Sequence, residues 1–398
     1  MNILIVNEYP MIPSYGGIER VTDLLTKEFL RRGHRITYLA AKPSPSPITY
    51  SFPTAQLFLP EEGGFANSRN LEFYEELLSE QSVDVVLNQR GWAPFMNEAL
   101  SIGGVKTISV IHSTPTGAHT MYMKEILRHN DTFDGWWRYV CKLLVYPFYW
   151  TYKYAKSKLG LVRHYRSLLK YTSAVVVLSS KCKQELENLT KSYRKRCDIV
   201  SIPNPNTYEE ISNDKIIKQN IILYVGRLCE NQKRPLRMLK VWEQLYKSHQ
   251  DWKMIFVGDG DALGSMKHYA NKRRIDRVEF VGQVEDVESY YSKADFVCLT
   301  SDFEGWGMVL TEGMRYGCIP VTFDNYGAAR EIIDDSISGC LIRPLRLREY
   351  ARRLAELMNS TDLREQMSIE AQKKVKRFSV DIIADSWERV FQDLVKDE

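Results

Sequence analysis

Short apolar runs rich in β-branched residues alternate with segments of helical period along the whole chain. In the first half these are Ile3–Val6 then Val21–Leu30, Ile36–Ala40, Val83–Leu87 then Phe95–Leu100, Val105–Ile111, and Ala174–Leu178 then Cys182–Leu189. Continuous apolar strands between amphipathic helices predict a parallel sheet covered on both faces. The rhythm pauses after Ile199–Asn206, where Pro203, Pro205 and a polar stretch to Lys215 predict a linker. It resumes with strands at Ile221–Val225, Met254–Val257, Val278–Val281, Phe296–Leu299, Ile319–Phe323 and Cys340–Ile342, separated by helical segments such as Leu236–Leu245, Val309–Tyr316 and Tyr350–Leu357. The last segment, Val380–Val395, places Ile383, Trp387, Val390, Phe391 and Leu394 at helical spacing and so needs a surface to pack on.

The expected architecture is therefore α/β, two Rossmann-like doubly wound domains facing a cleft. Residues 1–205 form the first domain, with the helix at 380–398 returning to it, and 206–379 form the second. A length of 398 residues with 44% hydrophobic content supports two cores. A net charge of +4 from 54 basic and 50 acidic side chains gives no bulk attraction to nucleic acid. The seven cysteines show no C-x-x-C pair and no metal-ligand spacing, which points to a reduced, cytoplasmic setting. Ile3–Val6 is too short for a signal-peptide core, and no window approaches the run of about 18 apolar residues that a spanning helix needs. A soluble protein, or one bound to a membrane surface, is expected.

One region departs from the rhythm. About sixty residues separate the strand ending at Ile111 from the one starting at Ala174, more than a crossover helix requires. In this insertion, 113–170, the residues Trp136, Trp137, Tyr139, Tyr146, Phe148, Tyr149, Trp150, Tyr152 and Tyr154 are interleaved with cations; ten lysines or arginines face three acids between 121 and 170. Such a stretch suits an interfacial helix pair on anionic lipid through 136–170, and equally a helical subdomain with inward-packed aromatics.

The run Asp302-Phe303-Glu304-Gly305-Trp306-Gly307-Met308-Val309-Leu310-Thr311-Glu312 carries the chemistry. It follows an apolar strand, and ligands of open α/β sheets bind at carboxyl ends of strands. Gly305 and Gly307 permit a tight turn, and a helix starting near Gly307 offers the amides of Met308, Val309 and Leu310 to a phosphate. Glu304 and Glu312 are eight positions apart, about 12 Å if fully helical. That spacing suits a carboxylate at each end of a nucleotide sugar, one on the hexose and one on the ribose. Two glutamates alone would fit an ordinary helix start; the glycines and the strand favour the site.

This run resembles the signature of retaining glycosyltransferase family 4, a Glu-x7-Glu pair in an E-G-x-G-x-x-x-x-E context, followed here by Gly317 and Pro320. The resemblance implies two Rossmann-like domains (the GT-B fold) and use of a nucleotide-diphosphate sugar, with UDP preferred to GDP. It also implies Arg227 and Lys233, after the strand Ile221–Val225, as the phosphate-binding pair. Gln283 and Val284, after the strand Val278–Val281, would lie against the base. Gly16 and Gly17, after the first strand, would approach a phosphate. His112, at the end of Val105–Ile111, would orient the hexose as a hydrogen-bond donor. Trp306 falls inside the donor loop. By the same resemblance Glu304 would position the sugar, and the leaving phosphate would help deprotonate the acceptor.

Arg227, Lys233 and the helix N-terminus can supply the charge stabilisation, so no metal and no further cofactor are expected. The expected partners are the nucleotide-sugar donor and a glycan or lipid-linked acceptor. The expected role is hexosyl transfer in bacterial surface polysaccharide or glycolipid synthesis, at the inner face of the membrane. A nucleotide-sugar epimerase on the same scaffold and an inactive, membrane-associated glycan-binding protein are the competing readings.

Overall fold

The computed structural model describes residues 1–44, 48, 50–91, 94–117, 146–191, 193, 197–208 and 216–396, and the side chains of Tyr15, 94–96 and 146–150 lie outside that description. The chain divides into two units, Met1–Ile202 with Ser386–Glu398, and Pro203–Asp385.

The first unit is built on β1 (Asn2–Asn7), β2 (Arg35–Ala40), β3 (Ala55–Phe58), β4 (Val85–Asn88), β5 (Lys106–Ile111), β6 (Ala174–Val177) and β7 (Asp198–Ser201). Their order is β3-β2-β1-β4-β5-β6-β7, with every pair parallel. Central strands of such a sheet are covered on both faces, and β4 and β6 are buried at every position. One core cluster gathers Leu4, Val6, Leu39, Tyr74, Val86 and Leu100; another gathers Ile111, Leu168, Val175, Val177 and Leu186. Tyr74 is fully buried because its hydroxyl donates to Leu100 O at 3.1 Å. The terminal helix Val380–Lys396 supplies Phe391, which meets Phe29 edge-on at 5.4 Å, and Glu388, 2.7 Å from His34.

The second unit carries β8 (Ile221–Val225), β9 (Lys253–Val257), β10 (Val278–Gly282), β11 (Phe296–Leu299), β12 (Ile319–Phe323) and β13 (Cys340–Ile342), in the order β10-β9-β8-β11-β12-β13. All of these pairs are parallel too. Strand order therefore reverses between β1 and β4 in one unit and between β8 and β11 in the other, and each reversal opens a crevice at the carboxyl edge.

The strand β3 and the helices Ser68–Glu80, Leu263–Arg273 and Thr361–Val375 go beyond the elements expected from periodicity. The strand β3 is a short edge strand with no buried residue, so it lacks an apolar run. Thr361–Val375 buries only Met367, Ala371 and Val375, and is started by Ser360, whose hydroxyl accepts from Leu363 N–H. Within the long insertion, the helix Tyr146–Tyr171 is described; residues 118–145, including Trp136, Trp137 and Tyr139, lie outside the described residues.

The β9 turn braces the loop after β8. Leu228 N–H donates to Asp259 O at 2.8 Å, and Gly258 N–H to Gly282 O at 2.7 Å. Gly258 has φ +133°, and a Cβ there would lie 2.1 Å from Gly226 O. Gly258→Ala is expected to cost about 2–4 kcal/mol through strain and backbone overlap, read as a lower urea midpoint. Gly264→Ala, whose methyl would meet open space, should instead leave the midpoint unchanged or raise it.

Candidate active site

Three loops meet at the carboxyl edge beside the β8/β11 reversal. The loop after β8 holds Arg227 and Lys233, the loop after β11 holds Ser301 to Gly307, and the loop after β12 holds Asn325. Backbone and ionic bonds join them. Asp302 N–H donates to Gln232 O at 2.8 Å, Gln232 Nε2 to Phe303 O at 3.3 Å, and Thr300 Oγ1 to Arg234 O at 2.9 Å. Asp302 takes Arg234 on one carboxylate oxygen and Arg237 on the other, each at 2.7 Å. Asn325 Nδ2 donates to both Ser301 O and Asp302 O. A loop held at so many points is rigid before any ligand arrives.

Within that frame Lys233 Nζ lies 2.8 Å from Glu304 Oε1, with side-chain exposures of 18% and 7%. Ser301 Oγ donates to the same oxygen at 2.5 Å. The Lys233 backbone is held from below by the buried Tyr224, whose hydroxyl donates to Lys233 O at 3.1 Å. Arg227 is exposed beside it and reaches Gln232 Oε1 at 3.5 Å. Two cations and one carboxylate thus share one edge of the crevice.

The helix Met308–Arg315 starts at Gly307, whose φ of +95° is a left-handed cap conformation that favours glycine. Gly305 is not in that region, so of the two glycines only Gly307 is demanded by backbone geometry. Leu310 N–H donates back to Gly307 O at 2.9 Å, while the amides of Met308 and Val309 have no partner among the described residues. These two amides and the positive helix end suit an anion. Because Glu304 to Gly307 is a turn, the interval between the two glutamates is only partly helical, not the straight helical span assumed from spacing.

Glu312 is buried, 3% exposed, and takes Thr207 Oγ1 at 2.9 Å and Tyr291 OH at 2.8 Å. Trp306 is buried with its ring edge-on to Phe378 at 5.1 Å, and its indole nitrogen has no hydrogen-bond partner among the described residues. Its side chain is therefore core, and the loop offers its backbone. Gln283 is exposed and Val284 half-buried after β10, separated from the β8 loop by β9, so they stand outside the bonded cluster. Asp302, Gln232, Arg234, Ser301 and Asn325 are missing from the sequence-derived set. Only the clustering of charge in 230–237 and at Asp302 hinted at them.

In the first unit, Gly16 adopts extended backbone with Glu19 close by, and the helix Gly17–Arg31 starts immediately after it. His112, after β5, has Nε2 2.6 Å from Gln89 Oε1, while Nδ1 is buried and without a partner among the described residues. The proton therefore sits on Nε2, and the expected donor is engaged by Gln89. What remains at Nδ1 is a lone pair, an acceptor. Burial, with the Arg90 charge adding to it, holds the imidazole down at about 4.

The profile described as "Glycosyltransferase Family 4" matches residues 15–205, and that described as "Glycosyl transferases group 1" matches 208–374. The chain belongs to glycosyltransferase family 4. Its curated relatives include an uncharacterized glycosyltransferase of Haemophilus influenzae, 29% identical over 194 residues, 48% of this chain and 55% of that protein. A second is the GalNAc-alpha-(1->4)-GalNAc-alpha-(1->3)-diNAcBac-PP-undecaprenol alpha-1,4-N-acetyl-D-galactosaminyltransferase of Campylobacter jejuni. It is 28% identical over 227 residues, 56% of this chain and 61% of that one. The matches thus span little more than half the length of these relatives. Among solved structures, Anabaena HepE in complex with UDP superimposes with a TM-score of 0.72 at 16% identity, covering 99% of this chain and all of that one. The fold is GT-B.

His112 generates a pH prediction. It is neutral in the folded chain and protonates near 6.5 when unfolded, so the unfolded state binds the extra proton between those values. Its contribution is intact above pH 6.5 and lost as pH falls toward 4. Relative to His112→Asn, the parent should lose on the order of 2 kcal/mol more stability between pH 7 and pH 4.5, measured by urea unfolding at the two pH values. Parallel losses would remove the assignment.

Proposed function

We propose that this chain is a retaining, metal-independent glycosyltransferase that moves a sugar from a nucleotide-diphosphate sugar, UDP in preference to GDP, to a lipid-linked glycan acceptor in bacterial surface polysaccharide or glycolipid synthesis. The observation that carries the proposal is the Lys233–Glu304 pair at the β8/β11 reversal, beside the helix start at Gly307. Lys233 has three N–H donors and Glu304 occupies one, so the lysine can also meet a diphosphate oxygen. Arg227 and the Met308 and Val309 amides supply further positive potential for the charge that develops on the leaving diphosphate. Glu304 accepts hydroxyls of the sugar and holds the anomeric carbon in place, and the departing phosphate receives the acceptor's proton on the same face. The relatives, among them a transferase that acts on an undecaprenol-linked glycan and an amylovoran biosynthesis glycosyltransferase, support a role in glycan assembly.

The kinetic test uses a panel of nucleotide sugars with product detection by mass spectrometry. Glu304→Ala is expected to lower kcat about 10²–10³-fold, and Lys233→Ala to raise the donor KM as well as lower kcat. Parental turnover in Glu304→Ala would overturn the reading. Conversion of the donor to a new nucleotide sugar without acceptor would establish the epimerase instead.

Attachment to anionic membrane is part of the same proposal. Among the described residues no helix is long and apolar enough to cross a membrane. The helix Tyr146–Tyr171 does expose Tyr152, Tyr154 and Leu159 beside the exposed Lys156, Lys158 and Arg163. Aromatic and apolar tips among cations suit an anionic headgroup layer. The chain should float with phosphatidylglycerol vesicles at low salt and be released by about 0.5 M salt. Failure to float at low salt would remove attachment from the proposal.

A further inference from the structure

Glu312 sits among groups that nothing in the Glu-x7-Glu spacing required. Its carboxylate receives one hydroxyl on each oxygen, Thr207 on Oε1 and Tyr291 on Oε2. Beside a carboxylate, both hydroxyls must donate. Tyr291 is fully buried on the short helix Glu288–Lys293. Its carbonyl accepts from Lys218 Nζ at 3.3 Å and Cys318 Sγ at 3.1 Å, while its ring stacks on Tyr316 at 6.0 Å and meets Tyr208 at 6.1 Å. Burial, with the Glu312 charge adding to it, pushes the phenol well above its usual range, so its proton stays on.

Thr207 is held as firmly. Its neighbour Asn206 donates N–H to Phe378 O at 2.7 Å and Nδ2 to Thr311 O at 2.7 Å, and accepts from Tyr208 N–H at 3.1 Å. A carboxylate has about four acceptor positions. Two opposed hydroxyl donors therefore fix its plane and rotamer. A carboxylate held in one plane is preorganised for a pair of adjacent hydroxyls, and binding then costs less side-chain entropy.

We infer that Tyr291, together with Thr207, is a positioning residue that holds Glu312 in the orientation that accepts the two ribose hydroxyls of the donor nucleotide. This rests on the reading of Glu312 as a donor-site residue, and the measurement separates the two. Binding of UDP, GDP and their 2′,3′-dideoxy counterparts is measured by titration calorimetry on the full chain, with circular dichroism confirming the fold. The parent should bind the better ribonucleotide about tenfold tighter than its dideoxy form. Tyr291→Phe keeps the ring and removes one O–H. It should weaken the ribonucleotide about five- to tenfold and leave the dideoxy form within twofold, so discrimination collapses. Thr207→Val should do the same in part, Thr207→Ser should restore it, and these two carry the test should Tyr291→Phe not fold. A merely structural role would weaken both ligands alike, and that result overturns the inference. Discrimination lost in Glu312→Ala but kept in Tyr291→Phe and Thr207→Val overturns it while leaving Glu312 in the site. No discrimination in the parent, no binding of either diphosphate, or full discrimination in Glu312→Ala overturns the donor-site reading of Glu312 itself, and the inference with it.

Discussion

Lys233 and Glu304 are opposite charges 2.8 Å apart on loops that leave adjacent parallel strands, both largely withdrawn from solvent. Each makes the other tolerable: removing one partner of such a pair leaves an uncompensated charge in a poorly solvated place. The pair also ties the loop after β8 to the loop after β11 at the point where strand order reverses, the one edge where neighbouring connections run to opposite faces of the sheet. Asp302, bonded to Arg234 and Arg237, and Asn325, bonded to two loop carbonyls, extend the same tie. The helix start at Gly307 is consequently presented in a fixed place relative to the cations.

The two glutamates of the Glu-x7-Glu run live in different surroundings. Glu304 meets an ammonium and a serine hydroxyl at the loop edge. Glu312 lies one helical turn further in, among hydroxyls and tyrosine rings. A charged partner suits a group that must respond to charge on a phosphate or a developing cation. Neutral hydroxyl partners suit a group whose task is to hold one orientation. This division of labour follows from the elements beneath each residue: a loop cross-linked to β8 for one, a short helix and the segment at 206–208 for the other.

The first unit presents a different edge chemistry. His112, Gln89 and Arg90 follow β5 and β4, with the imidazole kept neutral by burial and by the neighbouring guanidinium. A neutral ring whose only N–H is taken by Gln89 contributes an acceptor and no charge. Any ligand hydroxyl directed at Nδ1 must therefore donate.

Much was readable along the chain because it depends on local pattern. Continuous apolar strands and helical periods predicted two parallel sheets, and the glycine-flanked glutamates with Arg227 and Lys233 marked one carboxyl edge. Where pattern was weak, elements went unseen: β3 lies at an edge with no buried run, and Thr361–Val375 buries only three side chains. The spacing of Glu304 and Glu312 suggested a helical ruler that the turn at 304–307 replaces. Partners were beyond reach of sequence, since Thr207 meets Glu312 across 105 positions and Gln89 meets His112 across 23. Periodicity and local turn chemistry act between near neighbours, so the sequence by itself determined the elements and the loops that carry the charges. Which donor each carboxylate or imidazole received, and hence its charge and direction, was decided only when packing brought distant segments within hydrogen-bond distance, because burying a polar group is costly unless a partner is there to meet it.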